Sequence, residues 1–189
     1  MIPSVKINDF HTIDRIEEFE RSMDATMYLE LGNTVVALMA ERTAAGKDVS
    51  GNAFAAYSTK PFYAPVARRT PGYPLPAGGR LTKSGKSMHF PGGYKEYKGG
   101  IGRGTAPQLS VSGAMLGDER VRATDDLAVI YFATAASAEK AHGHQFGTGH
   151  LPRREHFGIK DNQTMRQVED ELVGLITERA ARANVPIKG

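Results

Sequence analysis

The chain has 189 residues, of which 40% are hydrophobic and 24% charged, and a formal net charge of +3. This is the composition of an ordinary globular protein, and a chain of this length can bury a core without disulfides or metals. The absence of cysteine excludes disulfide scaffolds, cysteine nucleophiles, iron–sulfur clusters and cysteine-ligated zinc sites. No apolar run approaches the ~18 residues of a membrane-spanning helix, and the first residues lack the pattern of a signal peptide. The sequence therefore predicts no membrane segment.

Charge is distributed unevenly along the chain. Residues 60–106 contain nine lysines and arginines and one acid, Glu96, so their net charge is +8. Of these 47 residues, 16 are glycine or proline, and the other 142 residues of the chain carry a net charge of −5. This change of composition marks residues 60–106 as a distinct segment within one domain that covers residues 1–189.

Residues 10–45 predict a long amphipathic helix, or two helices in line. Apolar side chains recur at steps of three and four from Phe10 to Met39, which is the spacing of one helical stripe. We expect Gly32-Asn33 to bend this helix. We expect Gly46 to follow its end in the left-handed conformation that glycine adopts readily.

Residues 60–106 show neither helical nor alternating periodicity, which predicts an extended excursion from the domain. Two short patches, at Phe62-Tyr63 and Met88–Phe90, have the composition of the arms of a β-ribbon. Without periodic apolar residues, the segment lacks the burial needed to offset an ordering entropy of about 1–2 kcal/mol per residue. We therefore expect it to be mobile in the free subunit and ordered by a partner.

The remainder of the chain predicts two strands and two helices. Residues 120–123 and 127–133 read as strands joined by a tight turn, and the second, which is apolar and β-branched, reads as a central strand. Alternation gives it two apolar faces, Leu127, Val129 and Tyr131 on one and Ala128, Ile130 and Phe132 on the other. We expect helices to cover one face and a neighbouring subunit the other.

Ser137 is predicted to cap a short helix that ends near Phe146, and residues 154–159 are predicted to form an edge strand. Asp161 or Asn162 is predicted to cap the final helix. The apolar stripe of that helix is Met165, Val168, Leu172, Leu175 and Ile176. The order of elements predicts an α+β fold, with a long N-terminal helix and a C-terminal helix packed on a small antiparallel sheet.

Patterns that could carry catalytic chemistry lack the context that they require. Residues 100–104 have the glycine spacing of a phosphate loop, but no helix is predicted after them. Ser110 and Ser112 lack the GxSxG context of a hydrolase nucleophile. Four of the six histidines fall within 15 residues, without a carboxylate at a recognised metal-binding spacing: His142, His144, His150 and His156. The sequence thus predicts no enzyme, no cofactor and no bound metal, with a histidine-based metal hydrolase as a weaker alternative.

The basic excursion mixes its cations with aromatic residues, namely Phe62, Tyr63, Tyr73, Phe90, Tyr94 and Tyr97. This mixture suits single-stranded nucleic acid, through phosphate contacts and base stacking. It equally suits an arm that contacts an acidic neighbouring protein, because aromatic residues and arginine are enriched at protein interfaces. We favour the protein contact, with nucleic acid as the alternative.

Short blocks of residues occur along the chain in a specific order and spacing. They are Arg42-Thr43, Gly46-Lys47-Asp48, Gly51, Phe54, Tyr57-Ser58, Pro107, Leu109, Gly113, Met115-Leu116, Ala138, Ala141-His142, His144-Gln145, Gly147, Pro152-Arg153-Arg154 and Phe157-Gly158. In order and spacing, from about residue 10 to residue 180, the chain resembles the tailed-phage virion-morphogenesis family. These are the neck or tail-completion proteins that join head to tail.

The resemblance implies a structural virion protein, made in the host cytoplasm, that forms a ring around the DNA channel at the head–tail junction. It implies a hexamer, with a dodecamer as the second choice, that contacts a head-side connector and a tail-side ring protein. A tail terminator and a single-stranded nucleic-acid-binding protein are the alternatives. Candidate partner-contact residues are Lys60, Arg68, Arg69, Arg80, Lys83, Lys86, Tyr94, Lys95, Tyr97, Lys98, Arg103, Arg153 and Arg154.

Overall fold

The computed structural model describes residues 10–66, 77–109, 113–149 and 151–185, and it has the α+β fold that the sequence predicts. Arg68 and Arg69, Tyr73, Ser110 and Ser112, and His150 lie outside these residues. The chain divides into two compact units. The helical unit comprises residues 1–38, 119–131 and 159–189, and the aromatic unit comprises residues 39–118 and 132–158. Within the described ranges, no helix is both long and apolar enough to cross a bilayer.

The N-terminal helical stretch consists of two helices, α1 (Phe10–Ser22) and α2 (Ala25–Ala44). The break falls at Met23-Asp24 and not at Gly32-Asn33, so the predicted bend was wrong. Asp24 begins α2 because its Oδ1 accepts hydrogen bonds from the backbone N–H groups of Thr26 (2.9 Å) and Met27 (3.2 Å). The bond from Met27 contributes most to lowering the pKa of Asp24.

Gly32 serves packing within the helical unit. A Cβ atom at this position would lie 2.5 Å from Cγ1 of Val121 and 3.2 Å from Cβ of Ala128. These two residues belong to the hairpin of β4 (Glu119–Ala123) and β5 (Ala128–Phe132). Glycine therefore lets α2 approach the hairpin more closely than any residue with a side chain would.

The hairpin confirms the predicted strands and their alternation. Along β5, Ala128, Ile130 and Phe132 are half-buried, whereas Val129 and Tyr131 are exposed. The prediction of a central strand was wrong, because within the described residues β5 has β4 as its one strand partner. Within the described residues, the hairpin face that carries Val129 and Tyr131 is thus exposed.

The final helix, α5 (Asn162–Arg182), begins at Asp161, whose side chain accepts a hydrogen bond from Thr164 N at 2.7 Å, as predicted. Leu175 is buried, but Met165 is 41% exposed, so the predicted apolar stripe is covered only in part. Arg179 of α5 hydrogen-bonds to both N-terminal helices. Its Nε donates to Ser22 O of α1 (2.9 Å) and its Nη2 to Glu30 Oε2 of α2 (3.2 Å).

The described parts of residues 60–106 fold, so the prediction of an extended excursion was wrong for them. β1 (Phe62–Pro65), β3 (Ser87–Phe90) and β2 (Arg80–Leu81) form an antiparallel sheet in the order β1-β3-β2. Phe62 pairs with Phe90 in the register of this sheet, which confirms the predicted β-ribbon. The sheet is followed by helix α3 (Gly93–Gly100), which the sequence analysis missed.

The N-cap of helix α4 (Ala135–Phe146) is Thr134 and not the predicted Ser137, because the Thr134 side chain accepts a hydrogen bond from Ser137 N. The segment 154–159 is extended but forms no strand, so the predicted edge strand was wrong. Gly46 has a φ of +76°, which confirms its predicted left-handed conformation after α2.

Several glycines of the basic segment are sites of close packing. Gly93 has a φ of +77°, and a Cβ atom there would lie 2.5 Å from the carbonyl oxygens of Lys60 and Ser58. A Cβ atom at Gly79 would lie 2.5 Å from the ring of Phe90. Close packing therefore requires glycine at these two positions, whereas Gly85, Gly102 and Gly104 have no atom within 4 Å of an added Cβ.

We predict that Gly93→Ala lowers the free energy of unfolding by roughly 3 kcal/mol, as measured by urea denaturation. The substitution combines a left-handed backbone with a backbone clash that cannot relax. Gly102→Ala is the matched control, because Gly102 also has a positive φ, +72°, with no atom within 4 Å of the added Cβ. The control should cost about 1–2 kcal/mol, the cost of the conformation alone. Equal losses for the two variants would contradict the packing role of Gly93.

Candidate functional site

Arginines from the sequence blocks hydrogen-bond to main-chain carbonyls inside the aromatic unit. Arg154 is only 4% exposed, and it donates to Ala55 O from Nε (3.1 Å) and Nη2 (2.9 Å). Its Nη2 also lies 3.3 Å from Ala56 O. Arg42 donates from Nη2 to His156 O at 2.7 Å. Two blocks that are about 100 residues apart are thereby joined through backbone atoms.

Gln145, which belongs to α4, hydrogen-bonds through its side chain to the extended segment 154–159. Its Oε1 accepts hydrogen bonds from His156 N and Phe157 N, both at 3.0 Å, and its Nε2 donates to Phe157 O at 3.1 Å. Val49 N donates to Glu155 O at 2.9 Å. These bonds replace the ladder that a neighbouring strand would supply, which explains why residues 154–159 are extended without being a strand.

Tyr57 is the centre of the aromatic unit. The Arg154 guanidinium lies 5.2 Å from its ring centroid, and Nζ of Lys98 lies 5.5 Å from the same centroid. Both distances are in the range of cation–π attraction. The hydroxyl oxygen of Tyr57 accepts a hydrogen bond from Gln108 N at 3.1 Å. One side chain thus contacts two buried cations and fixes the chain before Leu109.

The aromatic residues of the basic segment form a cluster around Tyr57. Tyr57 and Tyr94 meet edge to face at 5.2 Å, and Phe62 meets Tyr94 at 5.3 Å. Phe90, which is fully buried, meets Tyr97 at 5.4 Å. These three ring contacts join β1, β3 and α3 in a small core beside Tyr57.

Burial perturbs the ionisable groups of this cluster. It raises the pKa of Tyr94 to about 12, with smaller contributions from Tyr57 and Tyr97. It lowers the pKa of Lys98 and of Arg154, because the charged forms lose solvation. The nearby tyrosines act in the opposite direction on Arg154.

Of the four clustered histidines, His156 is buried and His144 is half-buried. His156 is 1% exposed, and burial lowers its pKa. Burial, followed by the charges of Arg154 and His156, lowers the pKa of His144 to about 4. Nδ1 of His144 is buried without a hydrogen-bond partner among the described residues. His142 is exposed and stacks on Phe146 at 4.7 Å, so it does not join His144 and His156.

A cavity of about 810 Å³ lies beside this cluster. Its wall includes the rings of Tyr57, Phe62 and Tyr94, together with Leu151 at the exposed edge. Arg154 and His144 provide its charged and titratable groups. Its volume is in the range of small-molecule and side-chain binding pockets. No aspartate or glutamate is among the residues that line it.

The structure separates the predicted contact residues into different environments. Lys60, Arg80, Lys83, Lys86 and Lys95 are exposed. Lys98 and Arg154 are in the interior, Tyr94 and Tyr97 are half-buried in the aromatic cluster, and Arg153 forms an ion pair with Glu155. Arg103 is half-buried. Of the described aromatic residues expected beside the surface cations, Tyr63 is exposed (58%), whereas Phe62, Phe90, Tyr94 and Tyr97 are buried or half-buried.

Neither the search for a metal site nor the comparisons with known proteins identifies a function. In the part of the chain that the structure describes, no three histidine, aspartate or glutamate side chains are arranged to hold a metal ion. Residues 100–104 follow the end of α3 and are not the start of a helix. No protein-family model, no curated protein and no solved structure matches this chain.

Sequence reasoning missed the cavity and helix α3. The spacing of Tyr94, Tyr97 and Ile101 is the signal that could have identified the helix, because steps of three and four place these residues on one face. Glu96 supports its start by accepting a hydrogen bond from Gly92 N at 2.7 Å.

We predict that trypsin cleaves after Lys83 and Lys86 well before it cleaves after Lys98. The first two are exposed in the turn between β2 and β3, whereas Lys98 is in α3 and fully buried. Cleavage requires an accessible backbone, so Lys98 is protected until the aromatic unit opens. Mass spectrometry of a digestion time course identifies the order. Cleavage after Lys98 at the same rate as after Lys83 would contradict the folded aromatic cluster.

We predict that the chain loses stability as the pH falls from about 6.5 to about 4. His144 has a pKa near 4 when folded and 6.5 as its ordinary value, so the unfolded chain binds the extra proton over this interval. The stabilisation is complete above pH 6.5 and is lost progressively below it. Melting temperatures of wild type and His144→Asn across this range measure the effect. The variant should show the smaller decrease, and an identical decrease would refute the role of His144.

Proposed function

We propose that this chain is a structural subunit of a phage neck, forming a ring that joins head to tail around the DNA channel. The sequence blocks that resemble the virion-morphogenesis family support this proposal. In the aromatic unit, the polar side chains of those blocks, Arg42, Gln145 and Arg154, are engaged with main-chain atoms. They build a rigid scaffold, as an adhesive protein needs, and this role requires neither a cofactor nor a catalytic group.

The observation that carries the proposal is the uncovered face of the β4–β5 hairpin. Leu127, Val129 and Tyr131 are 44%, 41% and 44% exposed in the single chain. Arg120 and Arg122 are the exposed residues of the neighbouring strand. A sheet face with aligned apolar side chains and flanking arginines has the composition of a protein interface. We assign this face to contact between neighbouring subunits.

The ring has the cyclic symmetry of most homo-oligomers, with six copies favoured and twelve as the second choice. Within the virion, it lies between a head-side connector and a tail-side ring protein. The exposed lysines and Arg80 of the aromatic unit supply a positive surface for an acidic neighbour. Phe90 is fully buried and Tyr97 packs against it, which weakens the nucleic-acid alternative, because that function needs rings free to stack on bases.

Photo-crosslinking from Tyr131 tests this assignment. We replace Tyr131 with p-benzoylphenylalanine and express the chain alone and with the products of its flanking genes. We expect a ladder of covalent multimers that ends at six copies, or at twelve, by mass spectrometry. The hairpin face contacts the next subunit in a closed ring, so the ladder must stop at the ring size.

Two matched variants show whether the ladder depends on the hairpin face. Val129→Glu places a charge on that face, and Val173→Glu places the same charge on α5, where Val173 is 61% exposed. The first should abolish the ladder and the second should preserve it. A chain that remains uncrosslinked both alone and with its neighbours would overturn the ring proposal.

A further inference from the structure

We propose that the cavity beside Tyr57 is a docking site for an acidic peptide segment of a partner protein, which inserts an apolar side chain and presents a carboxylate to Arg154. The proposal goes beyond the ring and does not depend on it. It rests on three properties of the cavity: its size, the apolar chemistry of its wall and the positive charge that Arg154 contributes to its lining.

The size and wall of the cavity fit an aromatic or large aliphatic side chain. About 810 Å³ is more than one side chain occupies, and it leaves room for adjoining backbone. Tyr57, Phe62 and Tyr94 present ring surfaces, and Leu109, Leu151 and Pro152 add apolar surface. Contacts with aromatic surfaces in a desolvated pocket are the usual energetic centre of a peptide interface.

The positive charge of the cavity favours a ligand that carries a carboxylate. Arg154 is its cation, and within the described residues no carboxylate lies against the guanidinium. Nε and Nη2 are engaged with the carbonyls of Ala55 and Ala56, so Nη1 is the nitrogen left to bind a ligand. A buried guanidinium is costly without an anion, and a charge-assisted hydrogen bond to a carboxylate offsets that cost.

His144 supplies a second recognition group. It lines the cavity, and its buried Nδ1 has no partner within the described part of the chain. A buried polar atom without a hydrogen bond costs about 1–3 kcal/mol. A neutral imidazole can donate from this nitrogen to a carboxylate or backbone carbonyl. The exposed Lys95, next to Tyr94 in α3, adds positive charge outside the cavity and favours the approach of an acidic segment.

A matched pair of dipeptides tests the proposal. The probes are acetyl-Phe-Asp-amide and acetyl-Phe-Asn-amide, which have the same shape and differ by one charge. We titrate each into the ¹⁵N-labelled full chain and follow amide chemical shifts. We expect shifts concentrated at residues lining the cavity, and about tenfold weaker binding of the Asn probe, which corresponds to the loss of a charge-assisted hydrogen bond.

Substitutions at the cavity edge leave the hydrogen bonds of the scaffold in place, whereas replacing Arg154 would remove its bonds to Ala55 and Ala56. Leu151 is 44% exposed, so it tolerates polar replacement. Leu151→Glu should abolish the preference for the Asp probe, because a carboxylate on the wall repels the ligand and competes for Arg154. Val173→Glu places the same charge on α5, whose residues do not line the cavity, and should retain the preference. Equal affinity for the two probes, shifts away from the cavity, absence of binding at millimolar probe, or identical behaviour of the two variants would each overturn the proposal.

Discussion

The aromatic unit depends on the burial of one positive charge, the Arg154 guanidinium. A buried cation requires hydrogen-bond acceptors, and here the carbonyls of Ala55 and Ala56 supply them. This requirement fixes the chain around residues 55–57 against the extended segment that carries Arg154. It also places Tyr57 against the guanidinium, and Tyr57 in turn contacts Lys98 and Tyr94. The position of one cation therefore determines where the cluster and its cavity lie.

The sequence predicted those elements whose apolar spacing or capping residue is strong. The helical stripe identified α1 and α2, the alternation identified β4 and β5, and Asp161 marked the start of α5. These features are local, so they are visible without tertiary contacts. The bend was misplaced because glycine both weakens helices and permits close packing. At Gly32 the second role prevails, since β4 and β5 approach the helix there.

Helix α3 and the extended segment 154–159 could not be predicted in this way. Three of the eight residues of α3 are glycine, so its intrinsic helix propensity is poor, and it is stabilised by the packing of Tyr94 and Tyr97. Residues 154–159 satisfy their backbone through the side chain of Gln145 instead of a neighbouring strand. Both depend on partners distant in sequence, which local patterns do not contain.

The sequence identified residues of the candidate site but placed them in the wrong environment. Arg154 and Lys98 were expected at the surface because charged residues are rarely buried. Their burial makes them organisers of the aromatic unit. Arg154 belongs both to this scaffold and to the wall of the proposed docking cavity, whereas the subunit interface that we propose on the β4–β5 hairpin is a separate set of residues.

Amide hydrogen exchange in Arg154→Lys tests most directly whether the guanidinium organises the aromatic unit. Lysine keeps the positive charge but cannot donate through two nitrogens to Ala55 O as arginine does. The account predicts faster exchange at Lys95 N, which donates to Ser58 O, and at Gln108 N, which donates to the Tyr57 hydroxyl. Amides of α5 should keep their protection. Unchanged exchange at Lys95 and Gln108 in the variant would contradict the account.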